Sequence, residues 1–112
     1  NRGKKPTNQH LINAIEYIKL NYDKDVSLET VAKNIYVSNY YLSHLFRDEL
    51  NMTFSDYVNK IRMDESLVLM KTTNMTIQKI AEEVGINDAN YFTKIFKRYY
   101  GVTPTSYLKL YK

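Results

Sequence analysis

Apolar positions recur along this chain at three- and four-residue spacing, the signature of helices rather than strands. Leu11, Ile15, Ile18 and Tyr22 form one stripe, opening near Thr7 and closing around residues 21–25. Leu28, Val31, Ala32 and Ile35 predict a short second helix behind Ser27, a favourable N-cap. Ser38 caps a third, with Tyr41, Leu42, Leu45 and Phe46 facing inward. From residue 54 to about 71 no helix breaker intervenes, and Phe54, Tyr57, Val58, Ile61, Leu69 and Met70 supply one apolar face. At 1.5 Å per residue that segment is a rod of about 27 Å. Residues 72–74 interrupt it. Ile77, Ile80, Ala81 and Val84 predict a fifth helix, Tyr91, Phe92, Ile95 and Phe96 line a sixth, and residues 104–110 form a last one. No segment alternates as a strand would. The expected fold class is all-α, with about seven helices.

The pattern occurs twice. Residues 27–57 and 76–107 align with Ala32 matching Ala81 at an offset of 49 and Phe46 matching Phe96 at an offset of 50. One inserted residue between positions 87 and 90 absorbs the difference. Beyond Phe46 the register holds: Asn51 with Gly101, Thr53 with Thr103, Ser55 with Thr105, Tyr57 with Tyr107. Gly and Asn both tolerate the left-handed conformation that ends helices, so Asn51 and Gly101 are interchangeable by mechanism. Thr53 and Thr103 read as N-caps, the latter before Pro104 at a first helical position. Two copies are too few for a solenoid. The expectation is a duplicated helical unit.

Each copy has a short helix with a small Ala in its middle, a short turn, and a longer helix. That is the arithmetic of a helix-turn-helix, in which a small residue lets two helices cross closely. Gly85 fits the turn of the second copy, and Tyr36 holds that place in the first. The longer helices then project polar side chains: Asn39, Tyr40, Ser43, His44 and Arg47 in one, Asp88, Asn90, Thr93, Lys94 and Lys97 in the other. Such side chains read base edges and phosphates. Asn90 can pair bidentately with adenine, whereas Asp88 suits a helix cap. Tyr40 either packs on a thymine methyl or covers the core edge. Ser55 and Thr105, at helix starts, serve either as caps or as phosphate contacts.

Composition narrows the options further. The net charge is +4, with Arg2, Lys4 and Lys5 as a basic arm and Lys94, Lys97, Arg98, Lys109 and Lys112 against Asp88 alone after position 87. This is either a solvated face or a footprint for phosphate. The chain has no Cys, and its only histidines, His10 and His44, lack a ligand spacing, so no metal site is expected. No phosphate loop or nucleophile motif is present, so neither a cofactor nor an enzymatic activity is expected. No apolar run is long enough to span a bilayer. The absence of Cys fits a cytoplasmic protein.

The stretch IAEEVG followed by YF, IFKRYYG and TP–Y resembles the signature region of the AraC/XylS family of bacterial transcription regulators, and the resemblance runs from about Asn8 onward. It implies two helix-turn-helix units whose second helices enter successive major grooves, so that one chain reads a bipartite site and bends the DNA. A rod of about 27 Å is compatible with grooves about 34 Å apart. On that reading residues 1–7 are a linker from an upstream regulatory region, and residues 8–112 are the double helix-turn-helix domain. Its first unit is 8–52, its linker helix 53–71 and its second unit 72–112. The recognition helices span about 39–49 and 88–99. Base contacts fall to Asn39, Tyr40, Ser43, His44, Asn90, Thr93 and Lys94, and backbone contacts to Arg47, Ser55, Lys97 and Thr105. The expected partner is double-stranded DNA, with RNA polymerase a second candidate and an effector or phosphoreceiver domain upstream. Three positions depart from the family: Ile86 where Phe is usual, Ser66 where Ala is typical, and Leu108 where Arg commonly follows the Tyr. Leu108 is therefore given no contact role. The competing reading is a helical protein-interaction module docking on RNA polymerase or a partner regulator.

Overall fold

A computed structural model describes residues 8–111; the linker at 1–7, its basic arm of Arg2, Lys4 and Lys5, the helix opening near Thr7, and Lys112 lie outside the described residues. Seven α-helices follow in order: α1 Gln9–Asn21, α2 Leu28–Asn34, α3 Asn39–Leu45, α4 Phe54–Thr72, α5 Ile77–Glu83, α6 Ala89–Tyr100 and α7 Pro104–Tyr111. A π-helical turn, Phe46–Leu50, extends α3. No strand occurs among the described residues. The chain resolves into two compact units. The first holds α1, α2, α3 and the opening of α4 as far as Val58; the second holds Tyr22–Lys24 and everything from Asn59 onward.

In the first unit the buried side chains are Leu11, Ala14 and Ile18 of α1, Val31 and Ala32 of α2, Leu42 and Leu45 of α3, then Phe46, Phe54 and Val58. Helix α1 opens with Asn8, whose Oδ1 accepts from His10 N at 2.9 Å and Leu11 N at 3.3 Å. Ser27 caps α2 and Ser38 caps α3. The π-helical turn stops at Asn51, which takes the left-handed conformation with φ 55°. Phe46 then meets Phe54 and Tyr57 at the start of α4, each at a ring-centroid distance of 5.5 Å.

The second unit repeats this construction. Met63 and Met70 of α4, Ile80, Ala81 and Val84 around α5, Ile86, and Phe92, Ile95 and Phe96 of α6 form its core. Thr76 caps α5 and Asp88 caps α6. Gly101 ends α6 with φ 78°, matching Asn51, and Phe96 meets Tyr107 of α7 at 5.9 Å. The duplication extends further back than the sequence pattern showed. Leu11, Ala14 and Ile18 on α1 recur as Met63, Ser66 and Met70 on α4, all buried and with identical three- and four-residue steps. Ser66 thus occupies the small-residue position that Ala14 holds in the first unit. Its hydroxyl is satisfied within α4, donating to Met63 O at 2.7 Å, so burial leaves no polar atom unpaired.

Several expected inward positions shift. Tyr41 and Tyr91, which are equivalent, are 39% and 51% exposed instead of lining the cores. Leu42 and Phe92 fill those places, and each tyrosine sits at the edge of its helix. Tyr41 receives a bond from Asn8 Nδ2 at 3.3 Å and packs edge-on against His10. Ala14 rather than Ile15 is fully buried on α1, and Met63 and Ser66 join the core face of α4.

A short strap carries the second unit's least expected contacts. Arg62 on α4 donates from Nε to Tyr22 O at 2.9 Å and from Nη2 to Lys24 O at 3.0 Å. The Tyr22 hydroxyl reaches Glu65 Oε1 at 3.4 Å. The strap passes so close to Gly85 (φ 93°) that a Cβ there would lie 2.6 Å from Tyr22 O. Tyr36, the equivalent turn residue of the first unit, also has positive φ, 63°, but is 93% exposed. Only the second turn is crossed by backbone in its own unit, so only there is a side chain sterically forbidden.

Candidate nucleic-acid interface

Each unit sets a short helix and a tight turn before a capped second helix: α2 before α3, which its π-helical turn prolongs, and α5 before α6. Val37 N donates to Ala32 O at 3.0 Å and Ile86 N to Ala81 O at 2.8 Å, so the two turns close identically. The caps follow after one residue fewer in the first unit: Ser38 comes straight after Val37, whereas Asn87 separates Ile86 from Asp88. Asn87 is therefore the insertion. With it located, α3 and α6 pair at a constant offset of 50.

That register aligns the polar positions. Tyr40 pairs with Asn90, Ser43 with Thr93, His44 with Lys94 and Arg47 with Lys97. In both units the spacing is i, i+3, i+4, i+7, which keeps Asn90, Thr93, Lys94 and Lys97 on one face of α6 and Tyr40, Ser43 and His44 on one face of α3, with Arg47 following in the π-helical turn. The opposite face is the core, Leu42, Leu45 and Phe46 in one case, Phe92, Ile95 and Phe96 in the other. Asn39, Tyr40 and Arg47 are exposed, while Ser43 and His44 are half-buried. Asn90, Lys94 and Lys97 are exposed, while Thr93 is half-buried. The Tyr40 and His44 rings lie 4.1 Å apart, so these two side chains form one aromatic surface. Among the described residues no carboxylate pairs with Lys94, Lys97 or Arg47, and no group of side chains suits a metal ion.

Capping is assigned to other residues. Asp88 Oδ1 accepts from Asn90 N at 2.9 Å and Tyr91 N at 3.4 Å, leaving the Asn90 side chain outward. Thr53 Oγ1 accepts from Asp56 N at 3.0 Å and Thr103 Oγ1 from Ser106 N at 3.1 Å. Ser55 and Thr105 are exposed in the first turns of α4 and α7 without a capping role. Leu108 is half-buried and packs against the second core, which explains an apolar residue there. Tyr91, missed as a surface residue, lines a shallow depression with Arg62, Ile86 and Asp88.

Two helical units, each presenting a capped helix with a polar outer face beside a tight turn, define a helix-turn-helix DNA-binding domain. A family model described as a helix-turn-helix domain matches residues 31–110. The chain belongs to the AraC-type family of transcription regulators. It is 35% identical over 106 residues to the regulatory protein PocR of Salmonella typhimurium, covering 95% of this chain and 35% of that protein. The C-terminal domain of AraT, a response regulator from Geobacillus stearothermophilus, superimposes with TM-score 0.90 at 34% identity, over 95% of this chain and 88% of that one. The DNA-binding domain of the global transcriptional factor AdpA, solved with a target DNA, shares the fold at TM-score 0.85 and 19% identity, over 90% and 91% of the two chains. The chain spans about a third of the length of the curated relatives it matches. No helix of the described residues is long and apolar enough to cross a membrane.

Proposed function

We propose that this domain binds a bipartite duplex sequence, with α3 and α6 each entering a major groove and the two grooves neighbouring one another. Asn39, Tyr40, Ser43 and His44 from α3, and Asn90, Thr93 and Lys94 from α6, meet base edges. Arg47, Lys97, Ser55 and Thr105 meet the phosphate backbone. The observation that carries this reading is the recurrence of four outward positions, 40/90, 43/93, 44/94 and 47/97, on two capped helices of equal register. The core's period fixes which positions face outward; what supports the reading is that polar, hydrogen-bonding or basic side chains of the types that meet base edges and phosphates fill them in both units. The continuous 19-residue α4 joins the two units, and AdpA's own domain was solved on DNA. An upstream regulatory domain, of effector or phosphoreceiver type, controls the domain in the cytoplasm, and contact with RNA polymerase follows DNA binding.

Selection of bound duplexes from a random library of roughly 30 base pairs tests the reading, because that length holds two adjacent major-groove sites. Two short boxes about one helical turn apart are expected. Asn90→Ala relaxes preference at one base position by about 1–3 kcal/mol, and Lys94→Ala lowers affinity. No enrichment, together with binding that ignores salt, would replace this reading with the protein-docking one.

A further inference from the structure

The two recognition helices share a cation at one matched position, Arg47 and Lys97, and carry opposite charges at the next, Asp48 and Arg98. Phe46 and Phe96 are both fully buried, and Asn51 and Gly101 are both left-handed, so the four residues between match one for one in sequence, lying in the π-helical turn in the first unit and in the last turn of α6 in the second. Arg47 pairs with Lys97, but Asp48 pairs with Arg98 and Glu49 with Tyr99; one position earlier on the outer face, His44 pairs with Lys94. The second helix thus presents Lys94, Lys97 and Arg98, while the first presents one arginine followed by two carboxylates. Asp48 and Glu49 are exposed, and among the described residues neither is neutralised by an ion pair.

The units as wholes follow the same division. Described residues of the first unit contain three Lys or Arg (Lys19, Lys33, Arg47) against six carboxylates: Glu16, Asp25, Glu29, Asp48, Glu49 and Asp56. Adding Arg2, Lys4 and Lys5 makes that unit only neutral. Described residues of the second unit contain nine Lys or Arg against six Asp or Glu. Non-specific DNA affinity comes almost wholly from cations that displace counterions from phosphate. A unit with no cationic surplus gains little from random sequence, so its net attraction has to come from base-edge contacts. Discrimination is a difference of affinities, and a repulsive element raises it by penalising the wrong partner.

Building on the DNA-binding reading above, we propose that the two units divide the work. The second is the phosphate anchor that holds the chain on any duplex. The first, with Asp48 at the sequence position where the anchor has Arg98 and with Glu49 exposed beside it, is a discriminator that engages only at its own box. Asp48 is accordingly a specificity determinant although it reads no base.

The test measures affinity of the whole chain for its selected duplex and for a scrambled duplex between about 50 and 200 mM salt. Three variants are compared: Asp48→Arg, Arg47→Gln and Lys97→Gln, each checked for unchanged helical circular dichroism. Every phosphate contact contributes about 0.9 to the slope of log affinity against log salt, a further fall of roughly 3.5-fold across that range. On the selected duplex Lys97→Gln and Arg47→Gln should each lose one such increment; on scrambled DNA Lys97→Gln should still lose one, and Arg47→Gln clearly less. Asp48→Arg should gain one, binding scrambled DNA several-fold more tightly at low salt and narrowing the ratio of selected to scrambled affinity. Equal loss on scrambled DNA in Arg47→Gln and Lys97→Gln, or an unchanged ratio in Asp48→Arg, overturns the division of labour while leaving DNA binding intact. Wild-type affinity that is the same for selected and scrambled duplexes and insensitive to salt overturns the DNA-binding reading itself, and this proposal with it.

Discussion

Substituting Gly85 by Ala should cost the fold far more than the same change at Gly101, although both glycines have positive φ. An L-residue in the left-handed region pays about 1–2 kcal/mol, and both variants incur that. At Gly101 nothing lies within 4 Å of an added Cβ, so the conformational term is the whole cost. At Gly85 the Cβ would stand 2.6 Å from Tyr22 O and 3.1 Å from the Asp23 carbonyl carbon, which are backbone atoms. They yield only if the strap moves, and the strap is held by the two Arg62 bonds at 2.9 and 3.0 Å. A hydrogen bond from a charged donor contributes about 1.5–3 kcal/mol. Losing or stretching one of the two brings the expected total for Gly85→Ala to about 3–5 kcal/mol. The gap between the variants is then about 2 kcal/mol or more, some 8–12 °C in Tm for a domain of this size. Urea and thermal unfolding followed by circular dichroism measure it directly. Arg62→Ala in the Gly85→Ala background sharpens the test, because a strap already released can move aside. The two changes should then be less than additive by about 1 kcal/mol. Equal costs at the two glycines, or full additivity with Arg62→Ala, would show that the strap does not press on this turn.

Tyr36→Gly, at the equivalent turn, relieves left-handed strain without touching a packed neighbour and should stabilise the domain by about 0.5–1 kcal/mol, read by the same unfolding curves. Asp88→Ala removes the acceptor of two amide bonds at the start of α6. It should cost about 1 kcal/mol and lower DNA affinity by fraying the turn that carries Asn90, as binding titrations would reveal. Burial, reinforced by the Asp64 carboxylate that accepts from its hydroxyl at 3.0 Å, holds the Tyr100 phenol well above its ordinary value of 10. The folded state therefore keeps a proton that the unfolded chain releases above about pH 10. Stability should be complete below that pH and decline as pH rises beyond it. Tyr100→Phe should flatten that alkaline decline in a pH series of unfolding midpoints, and a slope unchanged by the substitution would exclude Tyr100 as its source.

Helix positions and caps were readable in the sequence because both rest on local chemistry: a 3.6-residue period, and Ser27, Ser38, Asp88, Thr53 and Thr103 at helix starts. The outer faces of α3 and α6 were readable for the same reason, since a helix that buries Phe92, Ile95 and Phe96 turns Asn90, Lys94 and Lys97 outward by geometry alone. Tyr41 and Tyr91 were misplaced because an amphipathic ring at the edge of an apolar stripe satisfies the period whether it points in or out. The strap was invisible for a deeper reason. Arg62 grips carbonyl oxygens, which every residue possesses, so Tyr22 and Lys24 carry no sign of being held. Gly85 did signal a tight turn, but a turn glycine and a glycine crossed by backbone look alike in sequence, and only the exposed Tyr36 in the matching turn separates the two causes. The charge contrast lay between these extremes. Its residues are plain in the sequence, yet pairing Asp48 with Arg98 requires the register, and the register turns on one residue. The matched bonds from Val37 to Ala32 and from Ile86 to Ala81 identify that residue as Asn87. An insertion before the cap lengthens only the turn, whereas one inside α6 would rotate its later residues by about 100°. The duplication could therefore diverge in turn length and charge while the outer faces of both units kept the same four outward positions.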